Sequence, residues 1–235
     1  MAPSVTLLMP TLNEETGMRA IMPRVDPAWC QQILVVDGGS TDGTVDYARE
    51  HGYEVYVQKQ RGLRYAYSEA FPLVRGDIVV TFSPDGNSIP ELIPAVAAKV
   101  ASGDDMVIVS RYLDEARSHD DDVITGFGNW FFTSTINLLH RARYTDAMVM
   151  FRAYRTRLYY ELELDREEGY AMERWLNTTL GVEPLLSIRA AKRRCRISEI
   201  PGDEPVREGG ERKLQVIRWG SGYLWQTIRE LYYWR

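Results

Sequence analysis

The sequence predicts a single α/β domain, with a mostly parallel β-sheet and helices on both faces. Three observations support this class. Short apolar runs alternate with helical patterns through the first half of the chain, which favours a parallel sheet covered on both sides. Residues 78–82 (IVVTF) are almost entirely apolar, as expected of a strand buried on both faces. The length of 235 residues fits one domain of this kind.

The apolar runs predict five strands in the first half of the chain. Each run ends at residues that interrupt a strand, such as Pro10 after the first and Gly38 after the second. The predicted strands cover residues 5–9, 32–36, 54–58, 77–83 and 105–110. Ligands of such sheets bind beyond the carboxyl ends of the strands. The informative segments are therefore residues 10–14, 37–44, 83–87 and 110–111.

Helical spacing predicts four helices between these strands. Asn13 is expected to cap the first helix, and Thr41 or Asp42 is expected to cap the second. The third helix is expected to stop before Gly76. The predicted helices cover residues 14–24, the stretch from the second cap to about residue 52, residues 62–74 and residues 90–102.

Composition limits the classes of function. The formal charge is 28 − 33 = −5, which disfavours nucleic acid as a partner. The two cysteines, Cys30 and Cys195, fit a reducing compartment and exclude a disulfide scaffold or a four-cysteine zinc site. The first apolar run is interpreted as a strand rather than a signal peptide, and no apolar stretch reaches the length of a membrane span. We therefore expect a cytoplasmic protein, with peripheral contact to the membrane face as an open alternative.

Aromatic residues are numerous and concentrate toward the C-terminus. The chain has 14 Tyr, 6 Trp and 6 Phe. Residues 215–235, the C-terminal tail, follow a predicted domain of residues 1–214, and their apolar spacing predicts an amphipathic helix. Two interpretations remain open: the helix packs on its own domain or on a second copy in a homodimer, or it lies at a membrane surface. A basic cluster could also meet anionic headgroups: Arg189, Lys192, Arg193, Arg194 and Arg196.

Polar residues follow three of the predicted strands. Asp37, followed by a glycine turn, could hold a ribose or a base edge, although a plain turn has the same pattern. Asp85 and Asn87 are two residues apart in a turn, so their oxygens could face one Mg²⁺ or Mn²⁺ ion. A plain Asp-Gly turn is the alternative. Asn13 and Glu14 could bind a polar ligand or serve as a helix cap.

Taken together, these segments resemble the family 2 glycosyltransferases of the nucleotide-sugar-binding GT-A fold, and most of all the polyprenyl-phosphate (dolichyl-phosphate) mannose and glucose synthases. The resemblance covers roughly residues 4–214. Where the family has an Asp-x-Asp-x-Gln run, this chain has SPDGN at residues 83–87, so Ser83 replaces the first acid. The motifs that carry the resemblance are PTLNE (10–14), VVDGGSTDGT (35–44), SRY (110–112), DAMVMFRAYR (146–155), GYAME (169–173) and REGGERKL (207–214).

The resemblance implies an inverting, metal-dependent transfer of a sugar from a UDP- or GDP-linked donor. It implies that Asp85 holds Mg²⁺ or Mn²⁺ on the diphosphate, with Asn87 as a weaker ligand. It also implies that Arg207 and Lys213 close over the diphosphate as a clamp. The full set of implied donor contacts is Pro10, Thr11, Asn13, Glu14, Asp37, Gly38, Gly62, Ser83, Pro84, Arg207 and Lys213.

The acceptor is left open between a lipid phosphate and a polar acceptor. A phosphate is already ionised, and Arg111 could position it, although an ion pair of Arg111 with Asp114 or Glu115 is the alternative. A hydroxyl acceptor needs a base, for which Asp146 and then Glu173 are the candidates. Residues 120–128 are acidic and lack the second basic residue that the lipid-phosphate synthases tend to carry. A non-catalytic nucleotide-sugar-binding protein on the same scaffold is the second hypothesis, and Ser83 is its support.

Overall fold

The computed structural model describes residues 3–208 and 216–234. Within them the chain forms one sheet of seven strands, with nine α-helices and several 3₁₀ turns. The strands are β1 Val5–Thr11, β2 Gln32–Asp37, β3 Glu54–Val57, β4 Ile78–Thr81, β5 Met106–Ser110, β6 Arg152–Arg155 and β7 Ile197–Pro201. The helices are α1 Glu15–Ile21, α2 Thr44–Glu50, α3 Leu63–Ala70, α4 Ile93–Ala101, α5 Val123–His140, α6 Leu158–Glu161, α7 Glu173–Leu176, α8 Glu183–Lys192 and α9 Val216–Arg229.

The sheet is mostly parallel, which confirms the predicted fold class. Its strand order is β3-β2-β1-β4-β6-β5-β7, and only β6 runs antiparallel to its neighbours. Strands β6 and β7 were not predicted. The sequence of β6, RAYR, begins and ends with arginine, and β7 is a half-buried edge strand that contains Glu199, so neither forms an apolar run.

Two hydrophobic cores lie on opposite faces of the sheet. Successive residues of a strand point to opposite sides, so Leu8 and Leu7 enter different cores. The core around Leu8 is covered by α3, α5, α6 and α8, whereas the core around Leu7 is covered by α1, α2 and α4. The predicted helices on both faces are therefore confirmed.

The predicted caps need correction. Asn13 does not cap α1: its backbone φ is 58°, and its side-chain Oδ1 accepts a hydrogen bond from the Thr41 backbone N–H at 2.8 Å. At the second helix the N-cap residue is Gly43, yet Asp42 Oδ1 accepts from the Thr44 N–H at 3.0 Å. Asp42 rather than Thr41 therefore satisfies the first helical N–H group.

The C-terminal tail forms the predicted helix, α9, and packs against α5, α7 and α8 of its own domain. Arg189 of α8 pairs with Glu230 just beyond α9, at 3.0 Å, and both side chains are buried. Lys192 contacts the backbone carbonyl oxygens of Glu230 and Trp234. Arg189 and Lys192 are therefore not part of an exposed basic cluster, which corrects that expectation, although Arg193, Arg194 and Arg196 are exposed. Among the described residues, no helix is both long and apolar enough to cross a membrane.

Candidate active site

The predicted site segments meet at one edge of the sheet. The carboxyl ends of β1 and β2 lie side by side, with Thr11 in register with Asp37. Strand β4 is parallel to β1, so residues 83–87 leave the sheet at the same edge. Because β6 is antiparallel, the chain before it also reaches this edge, where Thr81 Oγ1 donates a hydrogen bond to the Met150 carbonyl at 2.6 Å.

The loops after β1 and β2 are hydrogen-bonded to each other. The Asn13 backbone N–H donates to Ser40 Oγ at 2.8 Å, and its side chain accepts from Thr41. The Glu14 N–H donates to Thr44 Oγ1 at 2.9 Å. These hydrogen bonds join the two segments that carry most of the predicted donor contacts, so the segments form one continuous surface.

Asp37 is buried and holds its own turn. Its carboxylate accepts hydrogen bonds from the backbone N–H groups of Gly39 and Ser40, both at 2.9 Å, and from the Ser40 hydroxyl. The Gly38 N–H donates to the carbonyl of Thr11 at 2.8 Å, and β1 continues from Pro10 into Thr11. In the structure the Asp37 oxygens bind their own loop. The contact of Asp37 and Gly38 with the donor stays a prediction.

Gly62 marks the start of α3. Its φ is 123°, a conformation that favours glycine. A Cβ atom there would lie 2.5 Å from the Thr179 side chain, so the missing side chain permits close packing of this loop against residues 177–180. Its predicted donor contact also remains a prediction.

Asp85 and Arg207 lie together, and the closing of Arg207 over a diphosphate stays a prediction. Asp85 is buried in the turn after β4, following Ser83 and Pro84, and its Oδ2 is 3.7 Å from Arg207 Nη1. Arg207 also pairs with Asp120, at 2.7 Å. Burial raises the pKa of Asp85 above its ordinary value, while the positive charge of Arg207 and a hydrogen bond from Ser83 oppose that shift. Lys213, the second clamp residue, lies outside the described residues.

The residues around Asp85 fit a divalent cation that is shared with a substrate. Asn87 is buried beside Asp85, and its backbone N–H donates to Asp85 Oδ1 at 3.3 Å. One carboxylate and one amide supply oxygen ligands, which Mg²⁺ and Mn²⁺ accept when substrate phosphates complete the sphere. In the ranges 3–208 and 216–234, no group of three or more His, Cys, Asp and Glu side chains is arranged to hold a metal alone.

Gly17 of α1 sets the position of the Asp85 turn. A Cβ atom at Gly17 would lie 2.4 Å from the Pro84 carbonyl oxygen and 2.7 Å from Asp85 Cα. We expect Gly17→Ala to cost about 1–3 kcal/mol of stability through overpacking, despite the better helix propensity of alanine. It should also weaken Mn²⁺-dependent nucleotide binding, because the Asp85 backbone must move.

Thermal unfolding and nucleotide titration with Mn²⁺ measure both effects of Gly17→Ala. The matched control is Gly126→Ala in α5, where nothing lies within 4 Å of the added Cβ. Unchanged nucleotide binding in Gly17→Ala would show that the contact with the turn is unimportant.

Arg111 is held by two carboxylates. Its Nε and Nη2 donate to Asp146 at 2.7 and 3.1 Å, and its Nη1 lies 3.2 Å from Glu204. Asp146 is completely buried. The alternative partners of Arg111, Asp114 and Glu115, are therefore wrong. Asn87 Nδ2 donates to Glu204 at 3.3 Å, which connects Arg111 to the Asp85 turn.

Glu199 of β7 orients the segment that carries Asp146. Its carboxylate accepts from the backbone N–H groups of Thr145, at 2.9 Å, and of Asp146, at 3.2 Å. It also accepts from the Thr145 hydroxyl at 2.9 Å. Burial raises the pKa of Glu199, and the hydrogen bonds from Thr145 lower it. Glu199 therefore holds the backbone of Asp146, the residue that pairs with Arg111, and we expect it to position that pair.

Replacing Glu199 by glutamine is expected to lower turnover by about 10²-fold, since a small misplacement of a binding group costs about that much. The amide keeps the volume but turns an N–H group toward the Thr145 and Asp146 donors. Steady-state kinetics provide the measurement, and Glu161→Gln at an exposed position of α6 is the control. Wild-type turnover in Glu199→Gln would show that Glu199 does not position Asp146 for the reaction.

Glu173 belongs to a second cluster, formed by α3 and α7. Its carboxylate pairs with Arg64 at 2.7 Å and accepts from the Leu180 N–H at 2.8 Å. Both partners of the ion pair are buried and lie in the wall of a cavity of about 780 Å³ that also contains Tyr65 and Trp175. The structure thus connects Asp85, Arg111, Asp146 and Arg207 into one region and leaves Glu173 in another.

Sequence reasoning missed four charged residues of these clusters: Arg64, Asp120, Glu199 and Glu204. Asp120 belongs to the acidic run that was interpreted only as lacking a basic residue. In that run Asp121 accepts from the Tyr112 hydroxyl and Asp122 caps α5. An acidic residue directly before a helix signals a cap, but no local pattern signals the pairing of Asp120 with Arg207.

Comparison with known sequences identifies relatives over nearly the whole chain. The sequence profile described as glycosyl transferase family 2 matches residues 6–162. An undecaprenyl-phosphate mannosyltransferase of Micrococcus luteus is 28% identical, and the match covers 96% of this chain and 97% of the relative. A dolichyl-phosphate hexose transferase of Haloferax volcanii is also 28% identical, over 92% of this chain and 89% of the relative.

Comparison with solved structures supports the fold. A glucosyl-3-phosphoglycerate synthase from Mycobacterium tuberculosis, crystallised with Mn²⁺ and UDP-glucose, aligns with a TM-score of 0.62 and 20% identity. The alignment covers 97% of this chain and 79% of that protein. At this identity the likeness concerns the architecture, which agrees with the sheet and helices described above.

Proposed function

Because the chain belongs to glycosyl transferase family 2, we propose that it transfers a hexose from a nucleoside-diphosphate sugar to a polyprenyl phosphate. The chain is a glycosyltransferase, and the proposal adds the acceptor class, the donor and the roles of the residues. The M. luteus and H. volcanii relatives are named for transfer to undecaprenyl and dolichyl phosphates, which supports a lipid phosphate as the acceptor.

One observation carries the choice of acceptor. Both carboxylates that were candidates for a general base lie in buried ion pairs, Asp146 with Arg111 and Glu173 with Arg64. A base must offer a lone pair to the acceptor proton, and these oxygens already accept hydrogen bonds from guanidinium and backbone N–H groups. A phosphate acceptor is ionised before the reaction and needs no base. The arrangement therefore favours phosphate over a hydroxyl.

We assign Arg111 to the acceptor phosphate and Asp146 to its orientation. Asp146 accepts hydrogen bonds from two side-chain nitrogens of Arg111, at 2.7 and 3.1 Å. Glu204 lies 3.2 Å from the third nitrogen. The phosphate would then replace Glu204 as the second partner of Arg111. A guanidinium suits this task because it binds phosphate oxygens through paired hydrogen bonds.

The leaving nucleoside diphosphate is assigned to the Asp85 turn. Asp85 and Asn87 would hold Mg²⁺ or Mn²⁺, which neutralises charge on the departing diphosphate. Arg207, fixed by Asp120, adds a second positive charge at the same place. With acceptor and leaving group on opposite sides of the anomeric carbon, a single displacement would invert its configuration.

A transfer assay with UDP- and GDP-linked hexoses, Mn²⁺ and a polyprenyl phosphate in detergent tests the function. We expect glycosylated lipid phosphate whose anomeric configuration, read by NMR, is inverted relative to the donor. Transfer to a free hydroxyl acceptor but not to the lipid phosphate would contradict the acceptor assignment. Tight binding of the nucleotide sugar without turnover would favour the non-catalytic hypothesis that Ser83 supports.

A further inference from the structure

The outward face of α5 is apolar along its whole length. The helix has 18 residues and contains no Asp, Glu, Lys or Arg. Its inward side buries Thr133, Ile136 and His140. Apart from Ser134, every exposed position of the helix carries a large apolar side chain, between 62% and 89% exposed. These side chains, the outward face of α5, are Val123, Ile124, Phe127, Trp130 and Leu138.

Such a face is unusual for a helix that meets water. A surface helix normally carries charged and polar residues on the side opposite the core. Large contiguous apolar patches mark contact with another protein or with a membrane. The outward face therefore needs an occupant.

The C-terminal end of this face is basic. Arg141 directly follows α5, and with Arg143 and Arg194 it lines a cavity of about 540 Å³. All three arginines are exposed. In the described part of the chain, no carboxylate forms an ion pair with any of the three, and Glu199 in the same cavity is bound to Thr145. Their charge is therefore available to an anionic surface.

The acidic residues at the other end of α5 are occupied. Asp120 pairs with Arg207, Asp121 accepts from the Tyr112 hydroxyl, and Asp122 caps the helix at the Thr125 N–H. The charge of Asp120 is thus compensated by Arg207, and the N-terminus of α5 partly offsets that of Asp122. Both effects reduce repulsion from an anionic surface near this end.

The outward face adjoins the candidate active site. Asn129 of α5 donates to the hydroxyl of Tyr112, the residue after Arg111, at 2.9 Å. A groove of about 310 Å³ beside the helix is lined by Tyr112, Trp130 and Thr145, among others. A ligand bound to the outward face is therefore next to the proposed acceptor site.

We propose that the outward face of α5, with Arg141, Arg143 and Arg194, docks the protein on an anionic lipid bilayer. Phenylalanine and tryptophan insert at the level of the headgroups, and arginines bind lipid phosphates. This assigns membrane contact to α5, whereas the tail helix α9 packs on its own domain. The proposal deepens the proposed function, on which it rests for the identity of the acceptor, because a lipid phosphate would then be drawn from the bilayer beside Arg111.

Vesicle flotation of the full chain, without donor or acceptor, tests the docking. The vesicles are phosphatidylcholine alone and phosphatidylcholine mixed with phosphatidylglycerol. We expect flotation with the mixed vesicles, and a loss of about tenfold or more for Phe127→Ser/Trp130→Ser, given the apolar area removed. Arg141→Ala/Arg143→Ala should lower binding to the mixed vesicles and leave binding to pure phosphatidylcholine unchanged. Added salt should lower the binding of the wild type to the mixed vesicles.

Matched controls change exposed residues on other surfaces. Trp175→Ser/Tyr232→Ser and Arg157→Ala/Arg166→Ala should float as the wild type does, and thermal unfolding establishes that each variant is folded. The proposal is overturned if the wild type binds neither vesicle, or if Phe127→Ser/Trp130→Ser floats unchanged. A different result would assign the face to a second copy of the chain: the wild type is a dimer in light scattering and binds no vesicles, and Phe127→Ser/Trp130→Ser is a monomer. Transfer in detergent is a separate measurement, so failure of docking and failure of the proposed function are distinguishable.

Discussion

Turnover of the Asp85→Ala variant is expected to fall by about 10³-fold or more, since the substitution removes the only carboxylate assigned to the cation on the leaving diphosphate. The loss should appear in kcat at saturating donor, because charge on the diphosphate grows as the glycosidic bond breaks. Asp85 is buried beside Arg207, at 3.7 Å, so its removal also takes one carboxylate partner from that arginine, which keeps Asp120.

The measurement is steady-state transfer over a range of Mn²⁺ concentrations, accompanied by thermal shift with nucleoside diphosphate and Mn²⁺. Nucleotide binding stabilises the folded wild type by mass action, and that stabilisation should require Mn²⁺. Asp85→Asn tests the charge at constant volume, and Asp46→Ala on the exposed side of α2 is the control. Near wild-type turnover in Asp85→Ala would refute the metal assignment.

The Glu230→Ala variant is expected to lose about 3–5 kcal/mol of stability, because it leaves the buried Arg189 without a counter-charge. For a chain of this size the loss corresponds to a fall in Tm of roughly 6–20 °C. The pair is almost completely buried, with contacts of 3.0 and 3.1 Å, and Arg189 also donates to the carbonyl oxygens of Leu162 and Glu163.

Thermal and urea unfolding test this expectation for Glu230→Ala. Arg19→Ala, which breaks an exposed pair with Glu15, should change stability by about 1 kcal/mol or less. The double variant Arg189→Met/Glu230→Leu should regain most of the loss, since apolar residues replace buried ion pairs well. A Glu230→Ala variant as stable as Arg19→Ala would show that water or other groups compensate Arg189.

The sequence predicted the half of the fold that local patterns encode. Apolar runs locate β1 to β5, and the residues after them locate the site, because parallel strands bring their carboxyl ends to one edge. Strand β6 escaped prediction because Arg152, a charged residue, is completely buried in it. Its guanidinium donates to the Ser187 hydroxyl at 3.0 Å and to the Val149 carbonyl, partners that no local pattern shows.

The sequence predicted that the site segments meet at one edge of the sheet, but not how their charged residues pair. Arg111 and Asp146 were assigned to separate tasks, and their direct contact depends on the antiparallel entry of β6. Glu199 and Glu204 act on them across 53 and 93 residues of sequence. Contacts at that separation follow from strand order, which a single sequence does not specify. For the tail, spacing predicted a helix, but the buried polar residues Gln226 and Thr227 blurred which side packs.

The ion pair of Arg189 and Glu230 limits how the tail can be studied. A chain cut before residue 230 would keep α9 but lose the carboxylate, which leaves the buried Arg189 cation without this counter-charge. Poor expression, aggregation or failed vesicle binding of such a truncation would then report on folding and not on the tail. Trp234, which stacks over Arg189 at 5.1 Å, places the same restriction on tags fused directly to the last residues. Point substitutions on the surface are therefore the better tools for this end of the molecule.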